Sequence, residues 1–268
     1  MASPKFPAAR KGARAYRPAM PASSPALLEI CVDCMASVEA CAAAAVPRIE
    51  LCAGLVEGGT TPSAGFLREV RAVYGGRIMM MIRPRAGDFV VSAAEGRIME
   101  EDIRVARGLG ADGVVFGCLT TDGEIDEAVA GRLVAAAAGL DMTFHRAFDV
   151  SRDLPRSLEV LMRLGIPRVL TSGGQPSVEA GMATLTALQG QAAGRIALLA
   201  GGGLRPGLVA ALRQSGIREF HLSARSTYAS PMAFRRPDMA MGAAAVPGEY
   251  ERKAADPEIL RSMLAELA

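Results

Sequence analysis

The stretch Thr143-Phe144-His145-Arg146-Ala147-Phe148-Asp149 decides the fold. It begins with β-branched and aromatic residues, which favour a strand, and it ends in ionisable residues that the centre of a buried strand would not tolerate unpaired. A strand that becomes polar at its C-terminal end is typical of the active face of an α/β barrel. The same transition recurs at 48–52, 77–85, 168–174 and 219–225, so the sequence predicts that architecture.

Short apolar runs alternate with helical patterns from residue 26 onward, which indicates βα units around a parallel sheet. Eight such runs without a change of pattern favour a single (β/α)8 TIM barrel, here predicted over residues 26–268, instead of a doubly wound sheet. The predicted strands are 27–32, 48–52, 77–83, 113–119, 141–147, 168–172, 195–201 and 219–224.

Glycine and proline mark the ends of the predicted helices. Pro62 and Pro206 are expected in first helical turns, where the missing N–H is not needed. The amphipathic segment 95–109 is expected to bury Ile98, Met99, Ile103, Ala106 and Leu109, and a last helix is expected at 257–267, after a stretch without periodicity. The glycines expected to end helices in the left-handed conformation are Gly75, Gly110, Gly139, Gly165, Gly194 and Gly216.

Composition limits the possible partners. The chain has 268 residues, 50% of them hydrophobic, which is enough for one large core. A net charge of +2 gives no reason to expect a nucleic acid or an acidic membrane as partner. No apolar run approaches the roughly 20 residues that span a bilayer.

Residues 1–25 carry five basic residues and no acidic one, and they are rich in Pro and Ala. This basic leader is predicted to be disordered, with an organelle-targeting peptide as the alternative. The five cysteines are odd in number and scattered, which indicates free thiols in a reducing compartment.

The two histidines, His145 and His221, both fall at predicted strand ends on the same face. Histidine can act as a metal ligand or carry a proton near neutral pH, whereas a hydrogen-bonded core histidine is the plain alternative. If the barrel is an enzyme, His145 is the candidate acid or base, with Glu50 or Asp149 as its partner.

Several residues at the strand ends are candidates for binding an anion. Gly202, Gly203, Ser223 and Arg225 follow the seventh and eighth strands, where barrels often bind phosphate, although the glycines could mark only a tight turn. Arginines can clamp a carboxylate or phosphate, or they can pair with Glu50, Asp88 and Asp149 in a structural network. The other candidates for anion binding, with His221, are Arg83, Arg85, Arg146 and Ser172.

Cys31 and Cys52 end adjacent strands, each two positions beyond a glutamate. Alternation along a strand places Glu29 with Cys31 and Glu50 with Cys52, and adjacent strands lie about 4.8 Å apart, so the two sulfurs can approach each other. Two thiolates suit Cu(I), whereas a buried free cysteine is often only a small hydrophobe.

The sequence resembles the CutC family of copper homeostasis proteins. The similarity rests on segments such as Leu28-Glu29-Ile30-Cys31-Val32-Asp33, Glu57-Gly58-Gly59-Thr60-Thr61-Pro62-Ser63 and Met81-Ile82-Arg83-Pro84-Arg85, and it covers roughly residues 27–225. The resemblance implies a cytoplasmic α/β barrel that forms homo-oligomers, and it implies Cys31 and Cys52 as ligands of Cu(I). Ala43-Ala44-Ala45-Val46-Pro47 departs from the family pattern before the second strand.

Two hypotheses of different class follow. The first is a Cu(I)-binding homeostasis protein that uses Cys31 and Cys52. The second is a barrel enzyme of lyase, isomerase or hydrolase type that acts on a small phosphorylated or carboxylated metabolite, with Arg83 and Arg85 on the substrate anion.

Overall fold

A closed barrel of eight parallel strands forms the centre of the computed structural model, which describes residues 26–236, 238–239 and 248–267. Each strand is hydrogen-bonded to its neighbours in sequence, and β8 closes the barrel against β1. The predicted TIM barrel and all eight predicted strands are confirmed. The strands are β1 (Leu27–Val32), β2 (Arg48–Leu51), β3 (Arg77–Met81), β4 (Gly113–Phe116), β5 (Asp141–Phe144), β6 (Arg168–Thr171), β7 (Ala197–Gly201) and β8 (Glu219–Leu222).

Most strands end earlier than the sequence predicts. The fifth predicted strand ran to residue 147, but β5 ends at Phe144 because the chain turns at His145. The side chain of His145 accepts a hydrogen bond from Ala147 N–H and caps a 3-10 turn over Arg146–Val150. The polar residues at the strand ends therefore lie in turns at the mouth of the barrel.

Helices follow the strands and pack outside them. Side-chain caps set several of their starts, and α2 begins at Ala64 because Ser63 accepts from Phe66 N–H, so Pro62 lies before the helix. Pro206 likewise precedes its helix, so both proline predictions were wrong by two or three positions. The helices are α1 (Met35–Ala43), α2 (Ala64–Val73), α3 (Ala93–Gly108), α4 (Glu127–Ala136), α5 (Leu154–Arg163), α6 (Met182–Ala192), α7 (Val209–Gln214) and α8 (Pro257–Leu267).

Five of the six glycines expected in the left-handed region have positive φ, and Gly75 is the exception because α2 ends in extended backbone at Tyr74. In α3, Met99, Ile103 and Ala106 are buried as expected, but Ile98 is exposed. The last helix has the predicted bounds.

A two-stranded antiparallel sheet, which no sequence pattern predicts, follows the barrel. It joins β9 (Arg225–Ala229) to β10 (Glu251–Ala255), both short and polar. The predicted leader, residues 1–25, lies outside the described residues. None of the described helices combines the length and apolar character needed to cross a bilayer.

Alternation along the strands separates two environments. Leu28, Ile30 and Val32 of β1 belong to the main apolar core between barrel and helices. Their neighbours Glu29 and Cys31 therefore face the barrel interior.

Candidate functional site

Four side chains from β1, β2 and β8 meet in the barrel interior near its mouth. The strand register places Cys31 beside Glu50 and Glu29 beside His221. Cys31, Glu50 and His221 each offer one ligand atom, and these atoms lie within 4.8 Å of one another. We call these three residues and Cys52, which directly follows β2, the thiol sector. Cys, His and carboxylate donors at this spacing can hold a metal ion.

Glu29 fixes the orientation of His221. Its Oε1 lies 2.8 Å from His221 Nδ1. Burial opposes ionisation of Glu29, but the charges of Arg48 and His221 lower its pKa to about 2. The ionised carboxylate therefore accepts a hydrogen bond from Nδ1–H, and Nε2 is directed to Glu50, 3.9 Å away. A carboxylate behind a histidine is a common way to orient a metal ligand.

Buried ion pairs form a floor below the thiol sector. Arg48 contacts Glu29 at 2.5 Å and Glu219 at 2.6 Å. Arg168 continues the network, with Glu219 at 2.7 Å and Asp141 at 3.1 Å. Each of these carboxylates thus faces a guanidinium group, which offsets the cost of burying charge.

Cys52 lies one layer above Glu50 and is fully buried. Its Sγ donates to Glu50 Oε2 at 3.4 Å, and it packs with Met79 and Met81. The loop after β2 covers it, because a Cβ on Gly59 would lie 3.1 Å from Sγ. Burial, followed by the charges of Glu50 and Cys31, raises the pKa of the Cys52 thiol well above its usual range.

The protonation states of Glu50 and His221 are linked. Burial raises the pKa of Glu50, and the charge of His221 offsets only part of this effect. Burial disfavours the charged form of His221, but the charges of Cys31 and Glu50 and hydrogen bonds to Cys31 and Glu29 raise its pKa well above the ordinary value. Each of these two groups therefore affects the protonation of the other.

Arg83 holds the covering loop. Its guanidinium donates to the carbonyl oxygens of Glu57 and Gly59 at 2.9 and 3.0 Å and to Gly87 O at 2.8 Å. Arg85 is engaged as well, since it pairs with Asp88 at 3.0 Å and with Glu95 at 2.6 Å. Both arginines line a small, partly open cleft beside Phe89. Their donors are largely occupied by these protein acceptors, which does not favour a substrate clamp.

His145 is placed apart from its expected partners. Its Nδ1 accepts from Ala147 N–H at 3.1 Å, and its ring packs on Phe89 with centroids 5.1 Å apart. Burial, and then the charge of Arg83, lowers the pKa of His145 to about 3. Within the part of the chain that the structure describes, no hydrogen bond joins it to Glu50 or Asp149. Such a histidine is poorly matched to acid–base chemistry near neutral pH.

Asp149 organises the loop that follows β6. Its carboxylate accepts from Thr171 Oγ1 at 2.5 Å, from the backbone N–H groups of Ser172 and Gly174 at 3.1 and 3.0 Å, and from Arg146 Nε at 2.7 Å. Arg146 also donates to Ser172 Oγ at 2.8 Å. We call Arg146, Asp149, Thr171, Ser172 and Gly174 the loop sector. Asp149 occupies the position that an anionic ligand of this loop would take.

The remaining anion-site candidates lie in different surroundings. Gly202 lies against the loop sector, because its Cβ would be 3.1 Å from Arg146 Cζ and from Ser172 Cβ. Gly203 follows it at the surface, and α7 is too short to offer a helix N-terminal site. Ser223 is half-buried after β8, and Arg225 Nη1 lies 3.7 Å from Asp33 Oδ2.

Sequence reasoning missed two features of the thiol sector. It predicted His221 at an anion site and did not group it with Cys31 and Glu50, although ligand atoms of these three residues lie within 4.8 Å of one another. It also gave Glu29 no role. The repeated two-residue spacing of 29, 31 and 50, 52 was the available signal, but only the closure of β8 against β1 brings His221 to Glu29.

Fold and site together define a parallel α/β barrel with a buried cysteine, glutamate and histidine cluster at its mouth. The family model described as CutC family matches residues 26–226. The chain therefore belongs to the CutC family.

Individual relatives agree with this assignment. A CutC family protein of Bacteroides thetaiotaomicron is 48% identical over 226 residues, which are 84% of this chain and 91% of that protein. The human copper homeostasis protein cutC homolog is 45% identical over 257 residues, 96% of this chain and 94% of that protein. A crystal structure of CutC from Streptococcus agalactiae has 35% identity and a TM-score of 0.70, and the match covers 74% of this chain and 98% of that one.

Proposed function

We propose that this chain is a cytoplasmic copper homeostasis protein that binds Cu(I) through the thiolates of Cys31 and Cys52. The observation that carries the proposal is that two free, buried thiols flank the same carboxylate inside the barrel: Cys31 is paired with Glu50 in the register of β1 and β2, and Cys52 Sγ donates to Glu50 Oε2 at 3.4 Å. Cu(I) prefers soft sulfur donors. The names of the human and mouse relatives support a copper-related role.

The surroundings of Cys52 suit a soft ion. Met79, Met81 and Val115 form a small apolar cluster with Cys52, and Leu55 of the covering loop packs against it. Such a shell excludes water, which stabilises Cu(I) bound to thiolates. Because Cys52 is fully buried, the ion would enter through movement of the loop that Gly59 and Arg83 hold in place.

Glu50 has a defined part in this proposal. A thiol must lose its proton to bind a metal, and burial makes that loss difficult for Cys52. Its S–H already donates to Glu50 Oε2, and Glu50 binds a proton more tightly than an ordinary carboxyl group. Glu50 is therefore positioned to take the thiol proton as Cu(I) binds.

A cytoplasmic location fits the five free cysteines, because cytosolic proteins keep their thiols reduced. A homo-oligomer remains a prediction from the family resemblance, and analytical ultracentrifugation of the purified protein tests it.

The proposal is tested by anaerobic Cu(I) titration against a competing chelator. Wild type is expected to bind one Cu(I) tightly, and Cys31→Ser and Cys52→Ser are each expected to weaken binding by more than the about 10–100-fold that loss of an outer-shell partner costs. Cys118→Ser, which changes a buried thiol in the outer core, and Cys34→Ser, which changes a partly exposed one, are matched controls and keep wild-type affinity.

Binding that survives both Cys31→Ser and Cys52→Ser contradicts the proposal. So does binding that disappears in Cys34→Ser, because the copper would then be held at a surface thiol. Far-ultraviolet circular dichroism of every variant separates lost binding from lost folding.

A further inference from the structure

We propose that Cys31 Sγ, His221 Nε2 and the Glu50 carboxylate form a second ligand set, which binds a divalent cation of borderline softness such as Zn²⁺. This site differs from the proposed copper site in its donors, since it uses a nitrogen and an oxygen in place of the sulfur of Cys52. One sulfur, one nitrogen and one carboxylate oxygen suit Zn²⁺, for which three protein ligands leave a fourth position open.

The distances between the donor atoms are close to those between the ligands of a bound zinc ion. Bonds of about 2.0–2.3 Å to zinc place two ligands of the same ion about 3.3–3.7 Å apart. His221 Nε2 and Glu50 Oε2 are 3.9 Å apart, and the whole set lies within 4.8 Å. A contraction of about an ångström by side-chain rotation is enough, and the three residues lie on neighbouring strands that fix their backbones.

The orientation of His221 is already that of a ligand. Glu29 Oε1 holds Nδ1 at 2.8 Å, so Nε2 points into the cluster. Glu29 is itself held by Arg48 at 2.5 Å and is completely buried, so the imidazole cannot turn away freely. The carboxylate behind His221 acts as a positioning residue of the kind that supports histidine ligands.

Glu50 carries an unused acceptor. Its Oε1 is buried and has no hydrogen-bond donor, while Oε2 takes the Cys52 thiol. A buried carboxylate oxygen without a partner is costly and needs a reason. A cation bound at this cluster supplies the missing partner.

Charge favours a dication at this set. In the metal-bound state the ligands have lost their protons, so the set consists of one thiolate, one carboxylate and a neutral imidazole, and a divalent ion leaves it neutral. Glu29 does not disturb this balance because Arg48 pairs with it. Neutrality matters because the exposed fractions of Cys31, Glu50 and His221 are only 8%, 3% and 7%.

The two sites share Cys31, so Cu(I) and the divalent ion exclude each other. The inference does not depend on Cys52 and stands or falls separately from the proposed copper function. Competition between the ions is itself a consequence that is measured on the wild-type protein.

The test is anaerobic titration of the full chain with Co²⁺, a spectroscopic probe for zinc sites. Wild type is expected to show thiolate-to-cobalt charge-transfer absorption and the visible bands of a tetrahedral site, both removed by Zn²⁺. Cys31→Ser, Glu50→Gln and His221→Gln are expected to weaken Co²⁺ binding by more than about 10–100-fold. Cys52→Ser keeps the affinity, because serine also donates to Glu50.

Displacement of bound Co²⁺ by stoichiometric Cu(I) in the wild type supports the shared thiolate and requires no variant. The inference is overturned if Co²⁺ gives no charge-transfer absorption while Cu(I) binds through both cysteines. It is also overturned if the absorption persists in Cys31→Ser and disappears in Cys34→Ser. If Co²⁺ binds as expected but Cu(I) is indifferent to Cys52, the copper proposal fails and this one stands.

Discussion

Glu50 and Asp149 are both buried carboxylates at the barrel mouth, and their surroundings are opposite. Asp149 accepts from two backbone N–H groups, a threonine hydroxyl and an arginine. Glu50 has one weak thiol donor and a histidine at 3.9 Å, and its second oxygen has no donor. The loop sector satisfies its own polar groups, whereas the thiol sector leaves them available.

The comparison shows which polar residues at the strand ends still have atoms available to bind a ligand. A carboxylate with its acceptor positions filled stabilises the fold and has nothing left for a ligand. A buried carboxylate without enough hydrogen-bond donors destabilises the fold. Such a group is typical of functional sites, where binding of a ligand offsets the lost stability. By this measure the thiol sector is the functional one.

The largest expected effect follows from Asp149→Ala. The change removes the acceptor from several buried donors of the loop sector, and each orphaned group costs about 1–3 kcal/mol. We expect the free energy of unfolding to fall by about 3 kcal/mol in urea titrations, while Cu(I) affinity stays at the wild-type value.

The matched control is Arg146→Ala, which removes a partly exposed hydrogen-bond donor to Asp149 and Ser172. Its free energy of unfolding should fall by no more than about 1 kcal/mol, because an exposed ion pair rarely contributes more than that. If Asp149→Ala remains folded but loses Cu(I) binding, the loop sector belongs to the metal site, and the contrast between the loop sector and the thiol sector is wrong.

A smaller effect of the opposite sign is expected from Glu50→Gln. Burial raises the pKa of Glu50 above its ordinary value of 4.5, so the folded protein binds this proton more tightly than the unfolded chain does. Stability is therefore lost as the pH rises above that ordinary value. We expect Glu50→Gln to be about 1 kcal/mol more stable than wild type at pH 7, which is a typical size for a single substitution.

The extra stability of Glu50→Gln should vanish below about pH 4, where the carboxyl group of Glu50 is protonated in both the folded and the unfolded protein. Urea titrations at pH 4 and pH 7 measure it. If Glu50→Gln is less stable than wild type at pH 7, ionised Glu50 has stabilising partners. Glu50 would then resemble Asp149, and the contrast between them would be wrong.

Most of the fold could be predicted from the sequence because it depends on local patterns. Eight apolar runs separated by helical periods predicted the barrel, and the glycines at 110, 139, 165, 194 and 216 have positive φ as expected. The errors arose where side chains override a pattern. His145 caps a turn instead of extending β5, and Ile98 is exposed despite its helical position. The pair β9 and β10 was missed because short polar strands carry no alternation.

The candidate site was readable only in part. Alternation places Cys31, Glu50 and Cys52 toward the barrel interior, but it does not show which side chain of another strand they meet. That depends on register, which brings Cys31 beside Glu50 and Glu29 beside His221. The charge of a residue also said little about its availability, since Arg83, Arg146 and Asp149 are largely engaged with other parts of the protein.

X-ray absorption at the copper K edge of the Cu(I)-loaded protein tests the central claim most directly. The account predicts a first shell with two sulfur atoms in wild type, from Cys31 and Cys52, and one sulfur atom in Cys52→Ser, whereas Asp149→Asn keeps the wild-type shell. A first shell of nitrogen and oxygen alone, or a sulfur count that Cys52→Ser does not change, would contradict it.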